Sequence, residues 1–450
     1  MCVPDKKQEK PVTLFTREEI KERALKSQEI LIIFKSKVYN LTKWAKYHPG
    51  GYMAVFHLAG KDATDAITAF HPDWVMETRM PHFQVGELVP EQRKVSKISE
   101  DYQLLDQQLR KEGLYKTDMF FYVREAAKFF AAWALAFAFM FVGPTYMPPA
   151  VAYLASCSSL AFLWHQAAFV AHDAGHSSIF HNSTKDVIFG IFLADFFGGL
   201  SLGWWKDSHN VHHIVTNSEE HDPDIQHLPF FAVSTRLFNN LYSTYHKRVM
   251  EFDDAAKIFV SIQDRLYYII LLFGRFNLYV NSWMHLLKPR VPFRSLEIVG
   301  MAVYWSWYTL LLSQLPSWGW ILGYVFLSHA LTAILHVQIT LSHFGMPTGD
   351  IGDEEFAAMG LRTSMDVDCP WWLDWFHGGL QFQVGHHLFP RIPRTNLRRL
   401  RPYIAKFAKD HGLEYHNYGF IKGNGIVLGV LRDVANHAHL LAKASKPHRH

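Results

Sequence analysis

Two long stretches without a charged side chain constrain the fold of this 450-residue chain more than any other feature. Residues 129–171 and 298–349 contain no aspartate, glutamate, lysine or arginine. Each stretch is about twice the roughly 20 residues that a membrane span needs, and each has proline near its middle. A charge at the centre of a span costs about 2.5–3.5 kcal/mol, so such runs are informative. The sequence predicts two hairpins of transmembrane helices, at about 129–147, 150–171, 298–315 and 318–341.

The composition agrees with a membrane protein that also has polar parts. Charged residues make up 19% of the chain, below the roughly 25% of an ordinary soluble protein. The formal net charge of +4 is too small to indicate a nucleic-acid partner. Cys2, Cys157 and Cys369 are isolated, which argues against a disulfide framework or a CxxC metal site.

Histidines form three clusters outside the apolar runs. The first cluster has the spacing i, i+4 and the second has the spacing i, i+3, i+4, so on a helix each cluster lies on one face. Imidazole nitrogens in such an arrangement suit a transition metal. The clusters comprise His172 and His176, then His209, His212 and His213, then His386 and His387.

The predicted topology brings these clusters to one side of the membrane. The polar N-terminus has no apolar signal segment, so we expect the N-terminal part to be cytosolic. The turn within each hairpin lacks lysine and arginine, whereas the segment between the hairpins and both tails carry them, consistent with the positive-inside rule. All three clusters then face the cytosol, together with His343 at the end of the fourth helix. The chain end, including His448 and His450, is expected to be disordered and to supply no ligand.

Residues 10–88 are predicted to form a separate small α+β domain. Short apolar strands within residues 29–43 precede His48-Pro-Gly-Gly, and a second histidine, His71, ends a later helical segment. The two histidines could bind a flat cofactor from both sides. This part of the chain resembles cytochrome b5, and the resemblance implies a haem b with His48 and His71 as axial ligands and His57 as a non-ligand. Bis-histidine ligation favours electron transfer over oxygen chemistry.

Two further parts of the chain have mixed character. Residues 89–120 are charged and predict a linker with a surface helix. Residues 187–205 and 258–273 are apolar but interrupted, which predicts interfacial or partly re-entrant segments that help shape a slot for an acyl chain. The membrane domain is thereby bounded at about 121–435.

Seven clustered histidines plus His343 are too many for one mononuclear site, so we expect two metals. All-imidazole coordination suits iron, copper or zinc. A haem domain in the same chain is useful to a redox metal and useless to zinc, so we infer iron. His336, two turns before His343, is either a ligand or a packed histidine.

The three boxes HDAGH, HNVHH and QVGHH, with the b5-like domain before them, resemble the front-end desaturases over nearly the whole chain. The resemblance implies O2-dependent desaturation of a lipid acyl chain by di-iron, with electrons from NADH through a separate cytochrome b5 reductase. It implies location in the endoplasmic reticulum membrane, iron ligation by the box histidines and a direct or water-mediated role for Gln383. Gly385 replaces the usual glutamate of the third box, so we expect that a carboxylate which would contact a metal-binding histidine is missing.

The substrate expectation also comes from resemblance. The runs WWKDSHNVHH (204–213) and HDPDIQHLP (221–229) are most similar to the sphingolipid Δ8-desaturases of fungi. This resemblance implies a trans double bond between C8 and C9 of the long-chain base of ceramide. Asp222, Asp224 and His227 are expected either to support the metal site or headgroup or to form a capped loop. The alternatives are a Δ6 or Δ5 fatty-acyl desaturase, a lipid hydroxylase, and a non-catalytic haem relay.

The stretch after the third box is basic. Its arginines either contact lipid phosphates or lie on a solvated helix face. They are Arg394, Arg398, Arg399 and Arg401.

Overall fold

The computed structural model describes residues 12–349, 352 and 354–444. The predictions for the first residues of the chain and for His448 and His450 lie outside the described residues. The chain divides into two compact units, the first ending at Gln103 and the second beginning at Leu104.

The first unit is an α+β domain, as predicted. Its four-stranded sheet has the order β1-β4-β3-β2, with β1 parallel to β4 and the other pairs antiparallel. The strands are β1 Leu14–Phe15, β2 Leu31–Phe34, β3 Lys37–Asn40 and β4 Gln84–Leu88. The helices are α1 Arg17–Ser27, α2 Tyr52–Phe56, α3 Thr64–Phe70, α4 Asp73–Thr78 and α5 Lys97–Lys111, which crosses the division between the units.

The two faces of strand β2 serve different parts of the first unit. Leu31 and Ile33 pack with the core beneath β1, while Ile32 and Phe34 pack with Val55 and Ile67 on the side of the two predicted haem ligands. This alternation follows from the two-residue period of a strand. The sheet therefore supports an apolar wall behind α2 and α3.

The second unit is mostly helical. Its helices up to the second hairpin are α6 Met119–Phe141, α7 Gly143–Tyr146, α8 Pro149–Gly175, α9 Ser183–Ile191, α10 Leu202–Ile214, α11 Asp254–Ser261, α12 Gln263–Leu271 and α13 Gly274–Leu286. The later helices are α14 Arg294–Leu312, α15 Trp318–Ala330, α16 Ala333–Leu341, α17 Phe356–Thr363, α18 Asp374–His377, α19 Gln383–Leu388, α20 Arg394–Asp410 and α21 Phe420–Ala444. Short strands β5 Tyr242–Ser243 and β6 Arg248–Val249 pair antiparallel, and β7 Asp366–Asp368 pairs with β8 Asn417–Gly419 in parallel.

Both predicted hairpins are present as helices, with shifted bounds. Among the described residues, Pro149–Gly175 and Trp318–Leu341 are long and apolar enough to cross a membrane. The first helix of the first hairpin extends from Met119 to Phe141, whereas the predicted span covers about 129–147. The helix begins at Met119 because Asp118 caps its N-terminus by accepting hydrogen bonds from Phe120 N (3.0 Å) and Phe121 N (3.2 Å). The fourth predicted span is divided between α15 and α16.

The predicted re-entrant segment is strongly bent. The chain bends by 115° at the break between Ser183–Phe197 and Leu202–Ile214. Together these two helical segments form either a third span or a re-entrant loop. The first of these ends in a π-helix, Phe192–Phe197, a type of irregularity that often accompanies functional sites. The turn needs a glycine at Gly199, whose φ is +66° and whose added Cβ would lie 2.3 Å from the Tyr304 ring.

The second interrupted segment, residues 258–273, covers the end of α11, all of α12 and the two residues before α13. The outer faces of these three helices expose large apolar side chains, as expected of helices that lie in a membrane interface. These side chains include Ile258, Ile269, Phe273, Val280, Met284 and Leu287.

Candidate metal centres

The eight histidines predicted to bind metal lie together in the second unit. Seven of them form two groups. Within each group, one ring nitrogen of every histidine lies within 4.8 Å of a ring nitrogen of each of the others. The first group is His172, His176, His209 and His386, and the second group is His212, His343 and His387. His213 lies between the groups, with its ring centroid 4.7 Å from that of His176 and 4.1 Å from that of His387.

Helix α10 supplies both groups. Because its histidines are spaced i, i+3, i+4, they share one face but sit at different heights and angles. His209 therefore reaches the first group, His212 the second, and His213 the space between them. Helix α8 adds its i, i+4 pair to the first group, and α19 sends His386 to one group and His387 to the other.

The chemistry of the donor set fits transition metals. The Nε2 atoms of His172, His176, His386 and His387 are buried and have no hydrogen-bond partner. Four unpartnered ring nitrogens within one protein interior are costly unless a ligand satisfies them. Burial also lowers the pKa of His386 and of His387 well below its ordinary value, which keeps these imidazoles in the neutral form that binds metal.

The outer nitrogens of the second group are held by the protein. His212 Nδ1 lies 2.9 Å from Asp222 Oδ2, and His343 Nδ1 lies 3.2 Å from the carbonyl oxygen of Thr363. His387 Nδ1 lies 3.3 Å from Thr216 Oγ1. Each contact assigns Nδ1 to the protein and leaves Nε2 for a metal, as in most histidine metal sites.

The aspartates of the predicted loop support the metal-binding histidines. Asp222 is fully buried and also accepts a hydrogen bond from Asn217 N at 2.7 Å. Asp224 Oδ2 lies 3.5 Å from His209 Nδ1, and with His209 and His212 it forms a third group able to hold a metal. His227 contacts the carbonyl oxygen of Asp224 at 2.8 Å. The loop is thus part of the site and not merely a capped turn.

Gly385 does not leave a gap in this support. A Cβ at this position would lie 3.1 Å from Leu400 Cδ2 and 3.7 Å from Ile404 Cγ1, both on α20. A glutamate here would point at α20 and not at the histidines. Asp222 and Asp224 nevertheless place two carboxylates beside the predicted ligands, and the expectation that a further carboxylate is missing stays a prediction.

The structure places the remaining predicted residues as follows. Gln383 lies outside both groups but lines a small cavity of about 10 Å³ together with His172 and His386, so its predicted contact with a metal stays a prediction. His336 lies outside both groups and packs where a Cβ on Gly274 would approach it to 3.0 Å. It is a packed histidine.

Of the four arginines singled out in the basic stretch after the third box, three form ion pairs. Arg394 lies 3.4 Å from Asp173 and 3.6 Å from Glu125, both buried, and Arg398 pairs with Asp374 at 2.5 Å. Arg401 pairs with Asp368 at 2.9 Å. Arg399, which is exposed, contacts Asn396 at 3.4 Å. These contacts tie α20 to the rest of the second unit.

Two residues of the site were not predicted. Trp205 stacks on His209 with ring centroids 4.5 Å apart and lies 5.2 Å from His172. Its i, i+4 spacing to His209 could have indicated this contact. Asp366 accepts a hydrogen bond from Val384 N at 2.9 Å and so anchors the third box, a long-range contact that has no sequence signal.

The first unit brings its two predicted haem ligands face to face. The ring centroids of His48 and His71 are 5.9 Å apart, close to the roughly 6 Å expected for two rings joined through one metal by bonds of about 2 Å. Their Nδ1 atoms contact the carbonyl oxygens of Gly51 and Ile67, both at 3.1 Å. Nε2 of each ring is thereby directed toward a shared ligand, which fits bis-histidine haem. His57 is not part of this pair.

Fold and site together indicate a membrane protein with histidine groups able to hold metal and a fused unit that fits a haem. Comparison with protein families agrees with this class. Residues 16–89 match the cytochrome b5-like haem/steroid binding domain, and residues 148–419 match the fatty acid desaturase family. The chain belongs to the fatty acid desaturase family and is an oxidoreductase of the front-end type with a fused cytochrome b5 domain.

Curated relatives cover nearly the whole chain. A Δ8-(E)-sphingolipid desaturase of Candida albicans is 35% identical over 97% of this chain and 98% of its own length. One of Emericella nidulans is 39% identical, over 92% and 93%. An acyl-lipid (9-3)-desaturase of Borago officinalis is 38% identical, over 95% of each chain. Overall identity therefore does not separate the two substrate classes.

Proposed function

We propose that this protein introduces a trans double bond between C8 and C9 of the long-chain base of ceramide. The convergence of eight histidines into two adjacent metal groups, in a chain that also carries a bis-histidine haem site, supports a two-metal redox reaction. The Δ8-(E)-sphingolipid desaturases among the relatives support the substrate and the position of the double bond.

The reaction needs four electrons for one O2. Two electrons and two protons leave the C8–C9 segment of the lipid, and two more electrons and two protons come from outside, so that O2 becomes two molecules of water. We assign the external electrons to NADH and a cytochrome b5 reductase, and a haem held by His48 and His71 would supply one-electron transfer between that reductase and the metal groups. Bis-histidine ligation leaves that haem suited to electron transfer alone.

We propose iron as the metal of both groups. His172, His176, His209 and His386 would hold one iron, and His212, His343 and His387 the other, with His213 between them. When bound, the iron pair activates O2 for hydrogen removal from the lipid. The protein's own contribution is to fix the imidazoles through Asp222, Asp224 and Thr216, and to present Gln383 beside the first group.

The domains divide the work. We assign residues 10–88 to the haem domain, 89–120 to the linker and its surface helix, and 121–435 to the membrane desaturase domain. We place the protein in the endoplasmic reticulum membrane, with four spans in two hairpins and with the haem domain and histidine boxes in the cytosol. The apolar helices and the charge distribution between them support this placement.

Lipid analysis tests this function. A yeast that lacks Δ8 activity would express the wild-type chain or a His212→Ala variant, and long-chain bases and fatty acids would be profiled from the same cells. We expect a new diunsaturated long-chain base with the wild type only. Newly desaturated fatty acids with unchanged bases would refute the substrate and favour the acyl-lipid activity of the Borago relative. Hydroxylated products would refute desaturation.

A further inference from the structure

A second buried polar cluster lies at the opposite end of α10 from the metal-binding histidines. It consists of side chains from four elements: the π-helix before α10, the N-terminus of α10, the end of α13 and the start of α14. They are Asp195, Ser201, His285 and Glu297, and all are at least nine-tenths buried. The mechanism proposed above does not use any of them.

Part of this cluster caps α10. Glu297 Oε2 accepts hydrogen bonds from Ser201 Oγ and from Gly203 N, the latter at 3.4 Å. Asp195 Oδ2 accepts from Leu202 N at 3.3 Å. Negative side chains at a helix N-terminus are favourable, so Glu297 and Asp195 have a structural role there.

His285 has no such role. Its side chain is 6% exposed, and neither ring nitrogen has a hydrogen-bond partner. A buried imidazole with both nitrogens unpartnered costs free energy, so a ligand that satisfies them is expected to bind. The His285 ring and the Glu297 carboxylate both face Gly203. A Cβ added to Gly203 would lie 3.3 Å from His285 Nε2 and 2.4 Å from Glu297 Oε1.

Large apolar side chains are exposed close to the cluster in the chain. The neighbouring positions on α13 and at the start of α14 expose Met284, Leu287, Phe293 and Leu296. Lys288 and Asp207, 3.5 Å apart, lie on its polar side. A lipid at this surface would have its polar group next to Lys288, Asp207 and His285.

The position along α10 matches the proposed reaction. Gly203 precedes His209 by six residues, which is about 9 Å along the helix axis and comparable with the roughly six carbon–carbon bonds from C2 to C8 of a long-chain base. A polar group held at Gly203 would place that part of the chain near the metal groups. The N-terminal end of α10 would then set which carbons are desaturated.

We infer that His285 and Glu297 bind the amide N–H and hydroxyl groups of ceramide and so select an amide-linked lipid. This inference rests on the proposed function. A carboxylate accepts hydrogen bonds only, and a neutral imidazole accepts one and donates one. The head of ceramide offers O–H and N–H donors, whereas an ester-linked acyl chain offers acceptors alone at the equivalent place. Such a polar site discriminates more strongly than an apolar pocket.

Binding to the purified full-length protein in detergent tests the inference. Two probes would be used: a short-chain dihydroceramide, and a fatty acid methyl ester of matching chain length that lacks N–H and O–H donors. Three proteins would be compared: wild type, His285→Leu, and His285→Asn, whose amide still donates and accepts. Iron content per chain and the thermal unfolding midpoint would establish that the variants are folded.

We expect His285→Leu to bind dihydroceramide about tenfold more weakly, or worse, while His285→Asn stays within about threefold of wild type and the methyl ester binds all three proteins alike. Unchanged dihydroceramide binding by His285→Leu would overturn the inference. So would an equal loss for both probes, because that result would mean a structural role. Failure of the proposed function would show separately, as the absence of a diunsaturated base from yeast expressing the wild type.

Discussion

Replacing Asp222 with asparagine tests how the second metal group is supported. Asp222 is fully buried, and its Oδ2 faces His212 Nδ1 at 2.9 Å and Asn217 N at 2.7 Å. Asparagine keeps the shape but not the charge, so charge-assisted contacts become neutral ones and an amide can face the imidazole. A hydrogen bond to a charged group contributes about 1.5–3 kcal/mol, against about 0.5–1.5 kcal/mol for a neutral one.

The expected loss is about 1–3 kcal/mol at the second group, which corresponds to roughly 5–150-fold weaker metal binding. Changes of about 10–100-fold are typical when the outer partner of a metal-binding histidine is removed. The assay is iron per chain by mass spectrometry during titration with a competing chelator, with haem absorbance recorded on the same samples. We expect Asp222→Asn to lose one iron at a lower chelator concentration while the haem is unchanged.

A matched control is available on α20. Asp410 is exposed and pairs with Lys406, four residues earlier, so Asp410→Asn should behave as wild type. If Asp222→Asn retains both irons with wild-type resistance to chelator, Asp222 does not hold His212 and the assignment of its role is refuted. A loss of haem together with iron would also count against it, because the haem site lies in the other unit.

Three further outcomes follow from the site. His343→Ala should lower bound iron from two to one per chain and abolish desaturation, whereas His336→Ala should keep both irons and most of the product. Metal analysis and lipid profiling measure these outcomes, and equal behaviour of the two variants would contradict the grouping. His48→Ala should remove the haem absorbance without changing non-haem iron, and it should stop turnover with NADH. Because burial lowers the pKa of His386 and His387 in the folded protein, the unfolded chain binds more protons than the folded chain below about pH 6.5. The thermal unfolding midpoint of chelator-treated protein should therefore fall as the pH drops below that value. A midpoint that does not change with pH would refute this.

The grouping of the box histidines and the pairing of His48 with His71 were predictable because their signals are local. A spacing of i, i+3, i+4 on a helix and a histidine next to Pro-Gly-Gly depend on residues within one or two turns. The interruptions in the two apolar segments between the hairpins were likewise predictable, because charged residues and glycines divide those segments; that they do not span the membrane stays a prediction. The helix bounds were less accurate, since the first helix begins at the cap formed by Asp118 and not where the charge-free run begins.

The role of Gly385 could not be predicted from its motif. The motif shows which residue type is absent, but only the packing of α19 on α20 shows that a side chain there would meet Leu400. His336 is a similar case: it shares a helix with the residues before His343, yet its ring packs near Gly274 on α13. Both outcomes depend on helices that are distant in the chain.

The sequence by itself determined the residues available for the chemistry: eight clustered imidazoles, a cytochrome b5-like domain in the same chain, and apolar runs that predict the boxes on one side of a membrane. Only the tertiary structure decided how those imidazoles divide, with His386 in one group, His387 in the other and His213 between them. The tertiary structure also brought His285, Glu297 and Gly203 together. The physical reason is that helical periodicity sets which side chains share a face, whereas the contacts between faces arise from packing of segments far apart in the chain.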